Sequence, residues 1–359
     1  MNEQIAQALE AVTAERAGDA VLSVRGLTVR FRLRGGRQVA AVTDASFDLA
    51  AGECLALVGE SGCGKSVLAS ALLGLLPGNA RTTGTALLTD GPRRAGAGRP
   101  TGAGRPARPG GGAVHPPALD LLAADERTLA RTVRGRRVGL VPQSPAAHLT
   151  PVRTVRAHLE ETVRALTGTP RRERRAAAEA AAERAAFPAG HLDRHPHELS
   201  GGLAQRAGTA LALVGDAPLL LADEPTTGLD RELVDRTADE LRRHVDRGKA
   251  LLLITHDLAA ARRVADRVAA MYAGRIVELT SAAPFFGDPG PRHPYARGLL
   301  DALPEREFRP VPGLPPELSD LPEGCAFAPR CPRASAACAV RPEFAAGVAC
   351  HHPLGASRA

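Results

Sequence analysis

GESGCGKS, at residues 59–66, follows the apolar stretch CLALVG at 54–59 and leads into SVLASALLGLL at 66–76. This is the pattern G-x-x-x-x-G-K-[ST], which in proteins lies between a buried strand and a helix. Its glycines let the backbone curl until several N–H groups and the N-terminus of the helix point at phosphate oxygens. The stretch therefore predicts a phosphate-binding loop between a strand and a helix, and hence an α/β fold.

The charged and hydroxyl residues of this loop suit a nucleotide bound with magnesium. Lys65 places its positive charge on the β and γ phosphates, and the Ser66 hydroxyl can ligate Mg²⁺. We interpret Cys63 as a packing residue of the loop and Cys54, on the preceding strand, as a core residue. The predicted nucleotide contacts comprise the whole loop, namely Gly59, Glu60, Ser61, Gly62, Cys63, Gly64, Lys65 and Ser66.

Two adjacent acids end a second apolar stretch, PLLLADEP at 218–225. One carboxylate at the end of such a strand can hold Mg²⁺ through water, while its neighbour polarises the attacking water. This division of roles assigns the metal to Asp223 and the water to Glu224. An apolar run followed by two acids is a weak signal alone, but the phosphate loop upstream makes it specific.

The rest of the chain divides by composition. Short apolar runs between 21 and 48 predict a small antiparallel sheet, and residues 155–186, rich in Ala, Arg and Glu, predict helices. KALLLITHD at 249–257 predicts another buried parallel strand. Residues 91–118 hold 14 Gly or Pro in 28 positions, with five Arg and no acid, and predict a disordered surface loop.

We therefore expect three main parts. They are an N-terminal extension at 1–20, a nucleotide-binding domain at 21–284, and a proline-rich C-terminal domain at 285–359. The nucleotide-binding domain would include the insertion at 91–118 and a helical subdomain at about 130–215.

Composition limits where the chain works and what it binds. It contains no uncharged apolar run of the roughly 18–20 residues that a bilayer requires. Its first twenty residues carry four acids against one arginine and lack the features of a secretory signal, so we expect it in the cytosol, where thiols stay reduced. The net charge is +7, but 44 of the 46 basic residues are arginines, which indicates a compositional bias rather than a nucleic-acid surface. No specific nucleic-acid partner is expected.

The stretch LSGGLAQR at 199–206 resembles the signature motif of ATP-binding cassette (ABC) ATPases, from whose usual form it differs at two positions. The other motifs of that family occur in the same order. VPQSP around Gln143 resembles the Q-loop, TGLD at 227–230 the D-loop, and ITHD at 254–257 the switch region. The resemblance implies an ABC-type P-loop NTPase fold, with a RecA-like core, an antiparallel β subdomain and an α-helical subdomain.

The resemblance also implies roles for particular residues. In that family two cassettes face each other and enclose two ATP molecules, so Ser200, Gly201 and Gly202 would contact the γ-phosphate held by the partner cassette. Asp230 of the D-loop would lie at the same nucleotide. The remaining implied roles are the lytic water for Glu224, the γ-phosphate for His256, the Mg²⁺ ion and a membrane partner for Gln143, and the stacked adenine for Phe31.

The end of the chain carries a second resemblance. HPYARGLLDALP at 293–304, LPEGCAFAPRCP at 321–332 and VACH at 348–351 resemble the C-terminal extension of ATPase subunits from oligopeptide, dipeptide and nickel importers. In those proteins the cysteines are associated with a [4Fe–4S] cluster. The matching residues here are Cys325, Cys331, Cys338 and Cys350.

Spacing alone leaves the chemistry of these cysteines open. The four are separated by five, six and eleven residues, which matches neither ferredoxin pattern. Four thiolates in a proline-rich segment could equally hold Zn²⁺, with His351 or His352 as a spare ligand. Free thiols are the third alternative.

Together these features predict the ATP-hydrolysing subunit of an ABC importer, energising uptake of short peptides. The resemblance implies two transmembrane permease subunits, an extracellular solute-binding protein and a second ABC ATPase subunit, identical or paralogous, with this chain peripheral at the cytoplasmic face of the membrane. Nickel or another metal chelate is the alternative cargo. A soluble ABC ATPase acting on ribosomes or nucleic acid is less favoured, because the chain has one cassette and this tail.

Overall fold

A computed structural model of the protein describes residues 20–89 and 118–355. The predicted N-terminal extension and the predicted loop at 91–118 lie outside these residues, apart from their last positions. Within the described ranges, no helix combines the length and the apolar character that crossing a bilayer requires.

The larger of two sheets has six strands, namely β3 Cys54–Val58, β6 Val138–Val141, β7 Leu219–Asp223, β8 Ala250–Thr255, β9 Arg267–Tyr272 and β10 Arg275–Ser281. Their order across the sheet is β10-β9-β3-β8-β7-β6. All neighbours are parallel except β10, which runs antiparallel to β9. Strands β3, β7 and β8 are buried along their whole length, as expected for parallel strands covered on both faces. The three strands predicted at 54–59, 218–225 and 249–257 are confirmed.

The smaller sheet is antiparallel, in the order β2-β1-β4-β5. Its strands are β1 Ala20–Arg32, β2 Gln38–Ala50, β4 Ala80–Leu88 and β5 Leu119–Asp120. The β1–β2 pair confirms the antiparallel sheet predicted between 21 and 48, and the later strands β4 and β5 complete it. Its apolar side chains share one core cluster with the larger sheet, so the two sheets form a continuous body.

Nine α-helices join the strands of the described residues. They are α1 Lys65–Leu72, α2 Glu126–Thr128, α3 Val155–Leu166, α4 Arg174–Arg184, α5 Gly201–Val214, α6 Arg231–Asp246, α7 Leu258–Val264, α8 Ala282–Phe286 and α9 Pro294–Asp301. The helical prediction for 155–186 is confirmed as α3 and α4.

Helices α3, α4 and α5 pack on one another around their own apolar cluster, which includes Leu159, Ala181 and Ala207. The alanines of α4 are small, so the neighbouring helices can approach closely. Strand β6 lies inside the range 130–215 expected to be helical, but it belongs to the larger sheet. The three-helix layer therefore follows β6 in the chain.

The C-terminal extension, here residues 285–355, packs its aromatic side chains directly on the larger sheet. The ring of Tyr295 lies 4.5 Å from that of Tyr272 on β9, and Phe327 lies 5.2 Å from Tyr272. These rings share a buried cluster with Ala56 and Val58 of β3. Residues 285–355 thus share their core with the larger sheet.

A buried polar junction fixes the start of α9. Glu278 on β10 accepts the backbone N–H groups of Arg292 and His293, each at 2.8 Å. His293 is 2% exposed, and its Nδ1 accepts the Tyr295 N–H at 3.0 Å. Burial lowers the pKa of His293 from 6.5 to about 4. The imidazole is therefore neutral at pH 7 and serves as the acceptor that begins the helix.

This histidine makes the fold sensitive to acid. As pH falls, the unfolded chain takes up a proton near pH 6.5 before the folded chain does near 4, so stability present above 6.5 is lost over that window. The effect of His293 alone is about 2 kcal/mol of unfolding free energy between pH 7 and pH 5. We expect His293→Gln, whose amide oxygen can still accept the Tyr295 N–H, to lose correspondingly less stability over this range.

Urea unfolding at the two pH values measures this difference. The exposed His148, changed to Gln, is the matched control and should keep the pH dependence of the unchanged chain. His244 is also buried with a pKa lowered to about 4, so some pH dependence remains in both variants. Equal losses in His293→Gln and the unchanged chain would contradict the role given to His293.

Candidate nucleotide site

The phosphate loop lies between β3 and α1, where two neighbouring strands leave no room for side chains. A Cβ atom on Gly59 would come within 2.3 Å of the Met271 carbonyl oxygen on β9. On Gly64 it would come within 2.1 Å of the Ala41 carbonyl oxygen on β2. Gly64 also has φ +104, a conformation that other residues rarely adopt. Backbone from both sheets thus requires glycine at these positions.

Gly64→Ala should therefore unfold the protein far more readily than an alanine elsewhere in the loop. A backbone clash and an unfavourable φ act together, and we expect a loss of at least about 3 kcal/mol in unfolding free energy. Gly62→Ala is the matched control, because φ there is +80 and nothing lies within 4 Å of the added Cβ. It should cost only the strain of about 1–2 kcal/mol. Chemical denaturation compares the two, and equal losses would contradict the steric argument.

Lys65, the first residue of α1, is buried inside the loop. Its Nζ donates to the carbonyl oxygens of Gly59 at 2.7 Å and Glu60 at 3.0 Å. The Sγ of Cys63 is 3.8 Å from the same Nζ, and burial raises the pKa of this thiol, which keeps it neutral. The loop therefore holds one buried positive charge on carbonyl oxygens, positioned for stronger phosphate acceptors.

Ser66 and Asp223 come together from positions far apart in the sequence. The Ser66 hydroxyl donates to Asp223 Oδ1 at 3.1 Å, at the carboxyl end of β7. Burial raises the pKa of Asp223, although the Ser66 hydrogen bond opposes this effect. A hydroxyl and a carboxylate beside a phosphate loop are the oxygen ligands that Mg²⁺ takes in nucleotide sites. The residues present fit a magnesium ion.

Glu224 forms a pair with His256 next to this site. Its Oε2 lies 2.8 Å from His256 Nδ1, and the side chains are 8% and 60% exposed respectively. Glu224 has φ +52, and its N–H donates to the Ile254 carbonyl oxygen of β8 at 2.8 Å. A strained residue held by the neighbouring strand is typical of functional sites. The pair thus joins a buried carboxylate to an exposed imidazole at the end of β7.

The signature and D-loop residues lie elsewhere on the chain, on the exposed ends of two helices. Ser200 precedes α5, and its hydroxyl accepts the Leu203 N–H at 3.3 Å. A Cβ on Gly202 would contact the Gly228 carbonyl oxygen of TGLD at 3.5 Å, so the two motifs are neighbours. Asp230 accepts the Leu233 N–H at 3.0 Å at the start of α6. Ser200, Gly201 and Asp230 are exposed, as is Gln143, which follows β6.

A cavity of about 440 Å³ borders the phosphate loop. Its walls are Leu33, Val39, residues 60–63, Tyr272, Ala273 and residues 315–319 of the extension. Phe31, expected to stack on adenine, is not among them. It lies on the central strand of its sheet between Val39 and Ala80, and it packs against the core. The aliphatic side chains of Leu33 and Val39 lie in the cavity wall, and stacking of Phe31 on adenine stays a prediction.

Sequence reasoning also missed the partners of two site residues. The carboxylate of Glu60, expected to contact nucleotide, pairs with Arg330 of the extension at 2.7 Å. Thr255 at the end of β8 donates to Glu224 Oε2 at 3.4 Å. The stretch APRCP contains Arg330, but nothing in the sequence indicates that this arginine contacts Glu60. The contact between Thr255 and Glu224 follows from the pairing of β7 with β8.

The four cysteines of the extension lie near one another. Electrostatic interaction links Cys350 to Cys325, Cys331 and Cys338. The backbone N–H two residues later donates to the sulfur of Cys331 at 3.4 Å and of Cys350 at 3.3 Å. Burial raises the pKa of the Cys325, Cys331 and Cys350 thiols.

Over residues 20–89 and 118–355, no group of three or more His, Cys, Asp or Glu side chains is arranged to hold a metal ion. The arrangement therefore does not support the iron–sulfur cluster or the zinc ion expected from the sequence. The iron–sulfur cluster and its zinc alternative therefore rest on the resemblance of the cysteine segment.

A phosphate loop whose serine meets the aspartate of a distant strand, with a signature motif opening a separate helical layer, has the construction of an ATP-binding cassette ATPase. The family description "ABC transporter" matches residues 42–227, and "Oligopeptide/dipeptide transporter, C-terminal region" matches residues 277–338. The chain belongs to the ABC transporter family, as an ATP-binding subunit with ATPase activity.

Curated relatives extend the match over most of the chain. A putative peptide import ATP-binding protein of Brucella melitensis is 37% identical over 92% of this chain and 95% of its own length. The dipeptide transport ATP-binding protein DppD of Bacillus subtilis is 36% identical over 89% of this chain and 88% of its own length. The dimeric post-hydrolysis structure of the ATP-binding cassette MJ0796 shares the fold, with a TM-score of 0.60 and 22% identity over 73% of this chain and 99% of that chain.

Proposed function

We propose that this chain hydrolyses ATP to energise the uptake of short peptides through a membrane transporter. The observation that carries the proposal is the meeting of Ser66 with Asp223 beside the Glu224–His256 pair. This arrangement places oxygen ligands for a metal ion next to the phosphate loop. It also places there the Glu224 carboxylate, which can polarise a water molecule. ATP hydrolysis needs those elements together.

Each side chain of the site has a part in the proposed reaction. Lys65 and the loop N–H groups bind the β and γ phosphates, while Ser66 and Asp223 ligate Mg²⁺. When bound, magnesium would neutralise negative charge on the phosphates. Glu224 orients and polarises the attacking water. His256, whose Nδ1 contacts the Glu224 carboxylate, also contacts the γ-phosphate.

We propose that a second cassette, identical or paralogous, completes the site. Supporting this, Ser200 and Asp230 are exposed and bonded within their own helices, while Gly202 lies beside TGLD. The signature motif and the D-loop thus form one exposed surface. Such a surface suits a phosphate bound by a facing subunit, and Gln143, exposed after β6, suits contact with a permease.

The proposed cargo follows from the relatives and the extension. The relatives carry the words "peptide import" and "dipeptide transport" in their names, which favours peptides over nickel. We propose two permease subunits and a solute-binding protein as partners, with the chain peripheral at the cytoplasmic face of the membrane.

Reconstitution tests this proposal. The chain is copurified from membranes with the permease subunits that associate with it, placed in proteoliposomes with the solute-binding protein, and supplied with Mg²⁺ and ATP. We expect uptake of labelled di- and tripeptides that depends on ATP. Uptake of Ni²⁺ without peptide would replace the cargo, and failure to associate with any permease would overturn the transport function.

We keep an iron–sulfur cluster as a proposal for the extension, with zinc as its alternative, on the resemblance of the cysteine segment alone. Four neighbouring thiols are the donor type that both metals take. Metal analysis of anaerobically purified protein decides the matter. Stoichiometric iron with a broad absorption at the violet edge of the visible range would support the cluster, zinc would support the alternative, and four titratable thiols without metal would exclude both.

A further inference from the structure

We propose that Arg330 is a positioning residue through which the C-terminal extension holds the phosphate loop and neutralises a carboxylate that would otherwise repel ATP. The inference rests on the proposed ATP binding and adds the extension to the nucleotide site. Nothing in the phosphate-loop pattern requires it, because Glu60 occupies one of the unspecified positions of that pattern.

The contact is a two-pronged ion pair that is partly buried. Arg330 Nη1 lies 2.7 Å from Glu60 Oε2 and Nη2 lies 2.9 Å from Oε1, with side-chain exposures of 5% for Arg330 and 25% for Glu60. The guanidinium also stacks over Tyr272 and Phe327, at 5.7 and 5.9 Å from their ring centres. Paired forks of this kind define orientation as well as charge.

Glu60 is held at three points, and the extension supplies two of them. Its N–H donates to the Tyr295 hydroxyl at 2.8 Å, and its carboxylate binds Arg330. Its carbonyl oxygen accepts Lys65 Nζ at 3.0 Å. The third contact is the phosphate-binding lysine itself. The position of Glu60 therefore influences both the curvature of the loop and the place of its positive charge.

The same guanidinium also anchors a wall of the neighbouring cavity. Arg330 Nε donates to the Pro312 carbonyl oxygen at 2.7 Å, just before residues 315–319. Those residues face loop residues 60–63 across the cavity of about 440 Å³. Arg330 thus connects the phosphate loop, β9 and the cavity wall.

Charge gives the proposal a direction that a purely structural role lacks. A carboxylate in the phosphate loop repels the negative charges of ATP, and a bidentate arginine cancels this repulsion. If Arg330 is removed alone, an unpaired carboxylate stays beside the bound phosphates. If both partners lose their charge, the repulsion disappears with the pair.

Mg-ATP binding to the full chain, measured by calorimetry, tests this charge argument. We expect Arg330→Met to weaken binding about tenfold. The double variant Glu60→Gln/Arg330→Met should bind more tightly than Arg330→Met and within about twofold of Glu60→Gln, because no carboxylate is left for Arg330 to neutralise. In ATPase assays Arg330→Met should raise KM and leave kcat unchanged. Arg309→Met, which removes an exposed arginine paired with Glu307 in the same extension, is the control and should bind normally.

The outcomes separate this inference from the proposed function. If the unchanged chain binds no Mg-ATP, both are overturned. If the unchanged chain binds Mg-ATP, two results overturn only the role of Arg330. One is that Arg330→Met binds as well as the unchanged chain, and the other is that the double variant binds as weakly as Arg330→Met. Should Arg330→Met unfold, Arg330→Gln replaces it, because glutamine can still hydrogen-bond to Glu60 but carries no charge. Weaker binding by Arg330→Gln would then support the role of Arg330, and unchanged binding would overturn it.

Discussion

Glu224→Gln is expected to lower steady-state ATP hydrolysis by about 10²–10⁴-fold while ATP binding persists. Glutamine keeps the size of the side chain and can retain the 2.8 Å contact with His256 Nδ1. It loses the negative charge that polarises the attacking water. The Ser66–Asp223 pair and Lys65 are unchanged, so the phosphates and the metal are still held. Phosphate release and Mg-ATP binding, measured on the same preparation, check both halves of the expectation.

The matched control is an exposed glutamate on α6. Glu232 pairs with Arg236 at 2.7 Å on the helix surface, so Glu232→Gln should leave hydrolysis unchanged. If Glu224→Gln hydrolyses ATP as fast as this control, Glu224 does not act on the water. If it loses ATP binding as well, its role lies in holding the nucleotide.

Lys65→Met should weaken Mg-ATP binding by at least about a hundredfold. The buried ammonium is the positive charge of the loop, and its Nζ now rests on the carbonyl oxygens of Gly59 and Glu60 at 2.7 and 3.0 Å. Phosphate oxygens are stronger acceptors than these carbonyls. Methionine fills a similar volume but offers neither charge nor hydrogen bonds, so the fold is expected to persist while affinity is lost.

The chain offers a close control for this experiment, because Lys249 is its only other lysine. Lys249 pairs with Asp216 at 3.1 Å, outside the nucleotide site. Lys249→Met should bind Mg-ATP normally. Normal binding by Lys65→Met would remove the central contact of the proposed site, whereas circular dichroism would reveal a loss of fold in either variant.

Much of the fold could be predicted from short segments whose residue types and spacing favour one local structure. The run at 54–59, the glycines after it and the acids at the end of 218–225 predicted strand, loop and strand end in their places. Residues 155–186 predicted helices because alanine, arginine and glutamate favour them, and α3 and α4 occur there. These signals depend only on residues that are neighbours in the sequence, so the sequence shows them directly.

Other parts of the site could not be predicted from local signals. Phe31 has the right residue type for stacking on adenine, and the structure adds that it packs against the core and that Leu33 and Val39 line the cavity beside the loop. The four cysteines suggested a metal centre, and only the fold brings them near one another. In both cases the sequence shows the residue type but not the surroundings of the side chain.

The amino-acid sequence by itself determined the phosphate loop, its lysine and serine, and the two acids, because each needs only neighbouring residues of the right type and spacing. The tertiary structure alone decided that Asp223 meets Ser66 and that Arg330 meets Glu60, across 157 and 270 positions of the chain. Contacts of that range depend on strand order and on the face against which the extension packs. No short segment encodes those choices, because they arise from burying apolar surface over the whole chain.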